Sequence, residues 1–322
     1  VGFLTNETVF NLNELPNHLL VVGGGPIGCE LAQAFRRLGA EVTIVQHSRF
    51  LPHEDEDAAG LLADVFQKEG IRVLLHAKTL GFERGESGRK RAILEFEGEP
   101  LAIEVDEILV GAGRAPNVEG IGLEAAGVEF DARKGVGVND TLQTTNKNIY
   151  AAGDCCMAWK FTHAADAAAQ IVVQNALFKG RRKLSSLIMP WCTYTYPEIA
   201  HVGMYERDAR SKGLEVDVFK VNMDENDRAL TDGESLGFVK VMVRKGTDRI
   251  LGATIVSAHA GEMISEITTA MVTKTGLGRL AKIIHPYPTQ ADSIRRVAGL
   301  YNKARLTPLV AKVLKWWLKA QR

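Results

Sequence analysis

The stretch LLVVGGGPIGCELAQAFRRLGAEVTIVQ, residues 19–46, constrains this chain more than any other. Residues 19–23 read as a short buried strand, and 41–45 as a second. Between them, 26–38 has helical spacing, with Ile27, Leu31, Ala34, Phe35 and Leu38 on one face. Gly23, Gly25 and Gly28 fall at the strand-to-helix turn with GxGxxG spacing. At such a turn, free backbone N–H groups and the positive end of the helix dipole point the same way, which suits a pyrophosphate. The stretch is read as a βαβ dinucleotide-binding unit.

An NAD-selective turn usually carries Asp or Glu at the end of the second strand, where it binds the ribose 2′-hydroxyl. Gln46 stands there instead, followed by His47, Ser48 and Arg49. Without the acid nothing repels a 2′-phosphate, and Arg49 with Ser48 or His47 supplies donors to it. This favours NADP. Gln46 can also hydrogen-bond a ribose hydroxyl, so NAD stays open.

Further along, 57–69 reads as an amphipathic helix ended by Gly70, and 71–75 as a third strand. Segments 92–97 and 101–106 flank a GEP turn as antiparallel strands, and 107–113 returns to the buried type. A polar, turn-rich stretch follows from 114. It leads to NIYAAGD at 148–154, read as a strand with Asp154 at its carboxyl end, and to a helix over 163–178. Beyond Trp191 come strands, among them 236–243 and 250–257, then helical patterns at 260–275, 290–305 and 308–320. Strands followed by helices indicate an α+β domain. The fold class is α/β, with domains expected at 1–113, 114–184 and 185–322.

Lys plus Arg and Asp plus Glu each total 39, so the chain has no general attraction to nucleic acid. Cys29, Cys155, Cys156 and Cys192 show neither CxxC spacing nor disulfide-framework density. A reducing cytoplasm and no metal site are therefore expected. No apolar run approaches the roughly 18 residues that span a bilayer. The chain starts at Val1 rather than Met, and is expected to be incomplete at its N-terminus.

Several motifs carry a resemblance. They are GGGPIG (23–28), GRAPN (113–117), IYAAGD (149–154), FTHAA (161–165), YTYPEIAHVG (194–203), GFVK (237–240) and HPYPTQAD (285–292). With them the chain resembles, over nearly its whole length, the flavin-dependent pyridine nucleotide-disulfide oxidoreductases, a group that includes dihydrolipoamide dehydrogenase and mercuric reductase. The resemblance implies a Rossmann-like nicotinamide domain, the returning half of an FAD-binding domain, and an interface domain that forms a homodimer. Such proteins carry two dinucleotide fingerprints, and the earlier one, for FAD, together with its CxxxxC pair, is missing from this chain.

The resemblance also implies roles. Gly113, Arg114, Gly153 and Asp154 would contact FAD, Asp154 through the ribityl chain. The helix beginning near Thr162 would aim its positive end at the flavin's pyrimidine edge. Glu30 would orient the nicotinamide carboxamide, or is simply an exposed helix charge. Pro26 stands where several relatives have an aromatic lid, and proline cannot gate by stacking.

In HPYPTQAD, Tyr287 stands where the HxHPTxxE motif has its second His, and Asp292 where it has Glu. Histidine, near pKa 6.5, trades protons with a thiol at neutral pH, whereas tyrosine, near about 10, stays protonated and mainly donates a hydrogen bond. Mercuric reductases share this Tyr but usually end in a vicinal cysteine pair, which LKAQR lacks. His285 is expected on the same side as Tyr287, as a substitute base, or both pack at the subunit interface. Cys155 and Cys156 are read as packing residues. The basic, amphipathic 306–322 is read as a helix packed on the interface domain rather than as a membrane contact. The expected activity passes hydride from NAD(P)H to flavin and on to a disulfide, thiol or thiol-bound metal acceptor. The alternative is a catalytically silent nucleotide-binding and dimerisation fragment.

Overall fold

The computed structural model describes residues 1–306 and 308–321, and for Pro308, Leu309, Ala311 and Leu314 the backbone alone. Strand β1 (His18–Val22) lies at the centre of a parallel sheet, between β2 (Glu41–Gln46) and a strand formed by Glu107–Val110; Arg72–Leu75 pairs outside β2. Leu19, Leu20 and Val21 are fully buried, as a strand covered on both faces requires. Helix α1 (Pro26–Leu38) starts on a proline, whose fixed φ and missing N–H suit the first turn, and ends at left-handed Gly39. Helix α2 (Glu56–Glu69) is capped by Asp55, whose side chain accepts from the N–H groups of Asp57 and Ala58 at 3.0 and 3.4 Å. Cys29 and Ala32 of α1 join Leu62 and Phe66 of α2 in the core under the sheet.

With the outer strand of the parallel sheet as β3 (Arg72–Leu75), an antiparallel meander follows: β4 (Lys78–Arg84), β5 (Lys90–Phe96) and β6 (Glu99–Val105). Then comes β7 (Glu107–Val110), the strand beside β1. Residues Val1–Ala112 form one compact unit with Pro190–Arg322, and Gly113–Met189 form another. The second unit holds a short hairpin, β8 (Phe130–Asp131) with β9 (Gly135–Val136), and helix α3 (Thr162–Leu177). Its core contains Leu142, Met157, Ala164, Ala168 and Ile171. The expected strand over 148–154 needs correction. It makes one isolated bridge, Tyr150 to Gln143, and Gly153 then turns the chain at φ +83° before any ladder can extend to Asp154.

The remainder of the first unit is a five-stranded antiparallel sheet. Its strands are β10 (Pro190–Thr193), β11 (Glu198–Gly203), β12 (Val216–Asn222), β13 (Phe238–Arg244) and β14 (Ile250–Ser257), ordered β10-β11-β14-β13-β12. Short helices α4 (Glu206–Ser211) and α5 (Asp227–Asp232) connect strands; α6 (Ala260–Val272), α7 (Leu277–Leu280), α8 (Asp292–Ala304) and α9 (Pro308–Ala320) follow. Helix α8 packs on β12 and β13. On α9, the side chains of Val313, Trp316, Trp317 and Leu318 are all at least half exposed.

Polar contacts join the parallel sheet to the antiparallel one. Glu54, before α2, accepts from Trp191 Nε1 at 3.1 Å and from the Tyr205 hydroxyl at 2.7 Å. Lys240 of β13 reaches Asp55 at 2.7 Å, with both side chains nearly buried.

Candidate functional site

The glycines of the first turn are fixed by sterics. A Cβ on Gly28 would lie 2.0 Å from the Gly23 carbonyl oxygen, and one on Gly23, at φ +112°, would lie 2.6 Å from that of Gly111. Both obstacles are backbone, so α1 approaches β1 and β7 this closely only with glycine at each position. Gly25 differs: nothing lies within 4 Å of where its Cβ would be. The open space at the N-terminus of α1 fits a pyrophosphate, which can approach the backbone there without meeting a side chain.

Gln46 is buried, and both ends of its amide are engaged. Oε1 accepts the Gly24 N–H at 2.9 Å, and Nε2 donates to Ser48 Oγ at 2.7 Å. Its side chain shapes the loop. Arg49 donates to the Pro52 carbonyl and lies 3.4 Å from Glu56, while His47 is exposed. Both flank the mouth of the turn in sequence.

Beyond the cradle on α1, Glu30 Oε1 accepts the Tyr194 N–H at 2.8 Å. Burial lifts its carboxyl above the usual range, partly offset by that hydrogen bond. Neighbouring Cys29 is buried and its thiol is pushed well up by desolvation. Burial, with Glu198 and Glu30 nearby, raises Cys192 as well. Cys156 is pushed up to about 12 by burial and by adjacent Cys155. These three thiols stay protonated at neutral pH, the opposite of what a nucleophilic thiolate needs.

In the second unit Asp154 Oδ2 lies 3.0 Å from Arg114 Nη1, and both side chains are half-exposed. Lys160 Nζ donates to the Arg114 carbonyl at 2.7 Å. Left-handed Gly153 precedes Asp154, Gly113 precedes Arg114, and Thr162 opens α3. The group offers a carboxylate able to accept from hydroxyls, which fits a polyol. A phosphate cradle is another matter: among the described residues of this unit, the only paired strands are antiparallel.

The terminal motif departs from expectation. Tyr287 is exposed, and its hydroxyl donates to Asp227 Oδ2 at 3.0 Å. That hydrogen bond, with the charge of Asp227, holds the phenol above its ordinary pKa. Asp292 is committed elsewhere, to Arg295 Nε at 2.7 Å and Arg296 Nε at 2.8 Å. Burial works to raise its pKa, but the two arginines win and hold it below the usual range. His285 is turned inward, its Nε2 3.0 Å from Glu266 Oε2 on α6 and its Nδ1 3.2 Å from the Ile283 carbonyl. His285 and Tyr287 thus bind carboxylates on two different helices, Glu266 on α6 and Asp227 on α5.

Asn226 explains why Asp227 is where it is. Its Oδ1 caps α5 by accepting from Arg228 and Ala229 N–H, while Nδ2 donates to the Thr289 carbonyl and to Ser293 Oγ. One side chain starts the helix and ties it to the loop of Tyr287. Sequence reading missed Asp227, Glu266 and Tyr194, whose partners lie 60, 19 and 164 residues away. The N-cap signal at Asn226 was the local clue.

The open glycine cradle, the parallel sheet behind it and the antiparallel domain beyond define the class: the chain belongs to the pyridine nucleotide-disulphide oxidoreductase family, whose model matches residues 1–169, with the family's dimerisation domain matching 189–298. Among known proteins it is similar to a dihydrolipoyl dehydrogenase of Thermus scotoductus, at 37% identity over 90% of this chain and 63% of that protein. A mercuric reductase of Staphylococcus aureus is 34% identical over 94% of this chain and 55% of the relative. The solved structure of the HOCl-induced flavoprotein disulfide reductase RclA from Escherichia coli superposes with a TM-score of 0.85 at 30% identity, covering 93% of this chain and 68% of that one. A Cu(II) complex of RclA matches equally well. The chain spans about half to two thirds of the length of the curated relatives. The family and the mixed α/β fold class expected from the sequence are confirmed.

Proposed function

We propose that this chain supplies the nicotinamide site (1–113), the returning flavin-side segment (114–184) and the homodimer interface (185–322) of an FAD-dependent NAD(P)H oxidoreductase. Its acceptor is a disulfide, a thiol or a thiol-bound metal ion, and its setting a reducing cytoplasm, in keeping with four free cysteines. When bound, the nicotinamide and FAD supply the hydride and electron transfer. Gly23, Gly25 and Gly28 hold the pyrophosphate, and His47, Ser48 and Arg49 receive a 2′-phosphate while Gln46 keeps the loop in shape. Glu30 orients the carboxamide. Asp154, with Gly153, Gly113 and Arg114, accepts from the ribityl hydroxyls, and the dipole of the helix opened by Thr162 faces the flavin.

Tyr287 stays a protonated phenol rather than acting as a base, because its single O–H is held by Asp227, and it donates to the acceptor only on leaving that carboxylate. Asp292 anchors the motif through its two arginines. With His285 bound to Glu266, proton exchange with a dithiol is poorly served, and an acceptor that needs little proton shuttling, such as a thiolate-bound metal ion, is favoured.

The observation carrying this reading is the open space at Gly25, followed on the same helix by a half-buried, protonatable Glu30. The test is anaerobic addition of NADPH or NADH to the whole gene product reconstituted with FAD. Loss of the flavin band with either nucleotide is expected, and Arg49→Ala is expected to weaken NADPH about tenfold while sparing NADH. A flavin band unmoved by both nucleotides sinks the reading. A second reading, a silent nucleotide-binding and dimerisation fragment, is favoured by three raised thiols and by the absence of a CxxxxC pair from this sequence. A colourless chain that still binds NADPH would bear it out.

A further inference from the structure

Helix α9 lies beyond the matched dimerisation domain, which ends at residue 298. Val313 and Trp317, one turn apart, are exposed along with Leu318, and Trp316 sits between them and the row Lys312, Lys315, Lys319. These lysines recur at i, i+3 and i+7, so they share one stripe, opposite Val313 and Trp317. No acidic residue occurs in 306–322, and since the whole chain is formally neutral, the rest of it carries an excess of acid. Positive charge is therefore concentrated on this helix, beside Val313, Trp316, Trp317 and Leu318, each at least half exposed.

We propose that α9 lies along an anionic lipid surface, with Val313, Trp317 and Leu318 at the acyl boundary and the three lysines among the headgroups. A basic polar face, a tryptophan-bearing apolar face and modest length are what such a helix requires. Trp316, on the seam, takes the position that tryptophan favours at a membrane interface. A second copy of α9 is the weaker occupant, because pairing two such helices sets lysines against lysines with no carboxylate in the segment to offset them. No helix among the described residues is long and apolar enough to cross a membrane, so the contact is peripheral. The inference does not depend on which acceptor the protein reduces.

The test is co-sedimentation of the full 322-residue chain with phosphatidylcholine vesicles, with and without phosphatidylglycerol. Binding to the anionic vesicles alone is expected, weakening as salt rises. Each lysine near such a surface contributes about a fivefold gain in partitioning, so Lys312→Gln, Lys315→Gln and Lys319→Gln together should lower it about a hundredfold. Trp317→Glu should also release the chain. A shortened chain ending at Arg305 retains the whole matched dimerisation domain and serves as the folded control. The proposal is overturned if the intact chain stays in the supernatant at low salt, or if the triple variant or the shortened chain pellets like the original. It is equally overturned if α9 instead raises the oligomeric state without binding vesicles, which would assign the face to a second copy.

Discussion

On the function proposed above, Tyr287 decides how the terminal motif handles protons. Placed where a histidine would exchange protons, it keeps its own, because the nearest carboxylate is Asp227 and the hydrogen bond to it opposes ionisation. The other charged groups facing it are Arg296, which favours the phenolate, and Asp292, which disfavours it. Replacing Asp227 by Asn removes the dominant influence, so the Tyr287 phenol should ionise at lower pH. An ultraviolet titration of Asp227→Asn against the parent chain, with Tyr287→Phe identifying the signal, reads this without any assay of turnover. An unchanged alkaline titration would mean that the 3.0 Å contact does not hold the ring in solution. At this scale the sequence singles residues out by type and spacing and is weak on what each one touches. Tyr287, Asp292 and His285 all stood out by type and spacing. Asp292 pairs within its own helix, but the partners of Tyr287 and His285 come from α5 and α6, and only packing brings them together.

At the scale of elements, Asp55 does two things at once: it caps α2 and pairs with Lys240 of β13. The pair is nearly buried, so removing one partner leaves the other charge in a poor solvent. Lys240→Met should therefore cost about 3–5 kcal/mol. Lys220 makes a similar contact, to Asp57 at 3.0 Å, but in the open. Lys220→Met should cost less than about 1 kcal/mol, since water and salt screen an exposed pair. Urea unfolding of the two variants checks the contrast, and equal losses would contradict the difference in burial. Elements with a strong period were legible: the limits of α1 read from sequence match the structure, and β1, β2 and β14 lie within a residue of theirs. The strands β10 and β11 were not named, because PWCT and EIAHVG have neither clean alternation nor a long apolar run and owe their ladder to β14. The segment 148–154 failed the other way: its apolar look belongs to a turn held by the core around it.

For the molecule as a whole, the two cofactors of the proposed function make different demands on this chain. The proposed nicotinamide cradle lies within residues 18–50, made of strand, glycine turn, helix and second strand of the first unit. The flavin-side residues have no such cradle in their own unit, where the paired strands among the described residues are antiparallel. A carboxylate such as Asp154 can accept from a polyol, but the pyrophosphate of FAD calls for backbone N–H groups at a strand-to-helix turn. On the function proposed above, residues 1–322 should therefore bind NADPH yet retain FAD poorly. On the same reading Asp154→Ala removes a hydrogen bond to a charged group, worth roughly 1.5–3 kcal/mol, and should weaken FAD about 10- to 100-fold while leaving NADPH affinity unchanged. Equilibrium dialysis against each cofactor measures both. Tight FAD retention by residues 1–322 alone would show that the second unit holds more of the flavin than one carboxylate and one helix dipole can explain, and loss of NADPH binding in Asp154→Ala would show that the two sites are not separable.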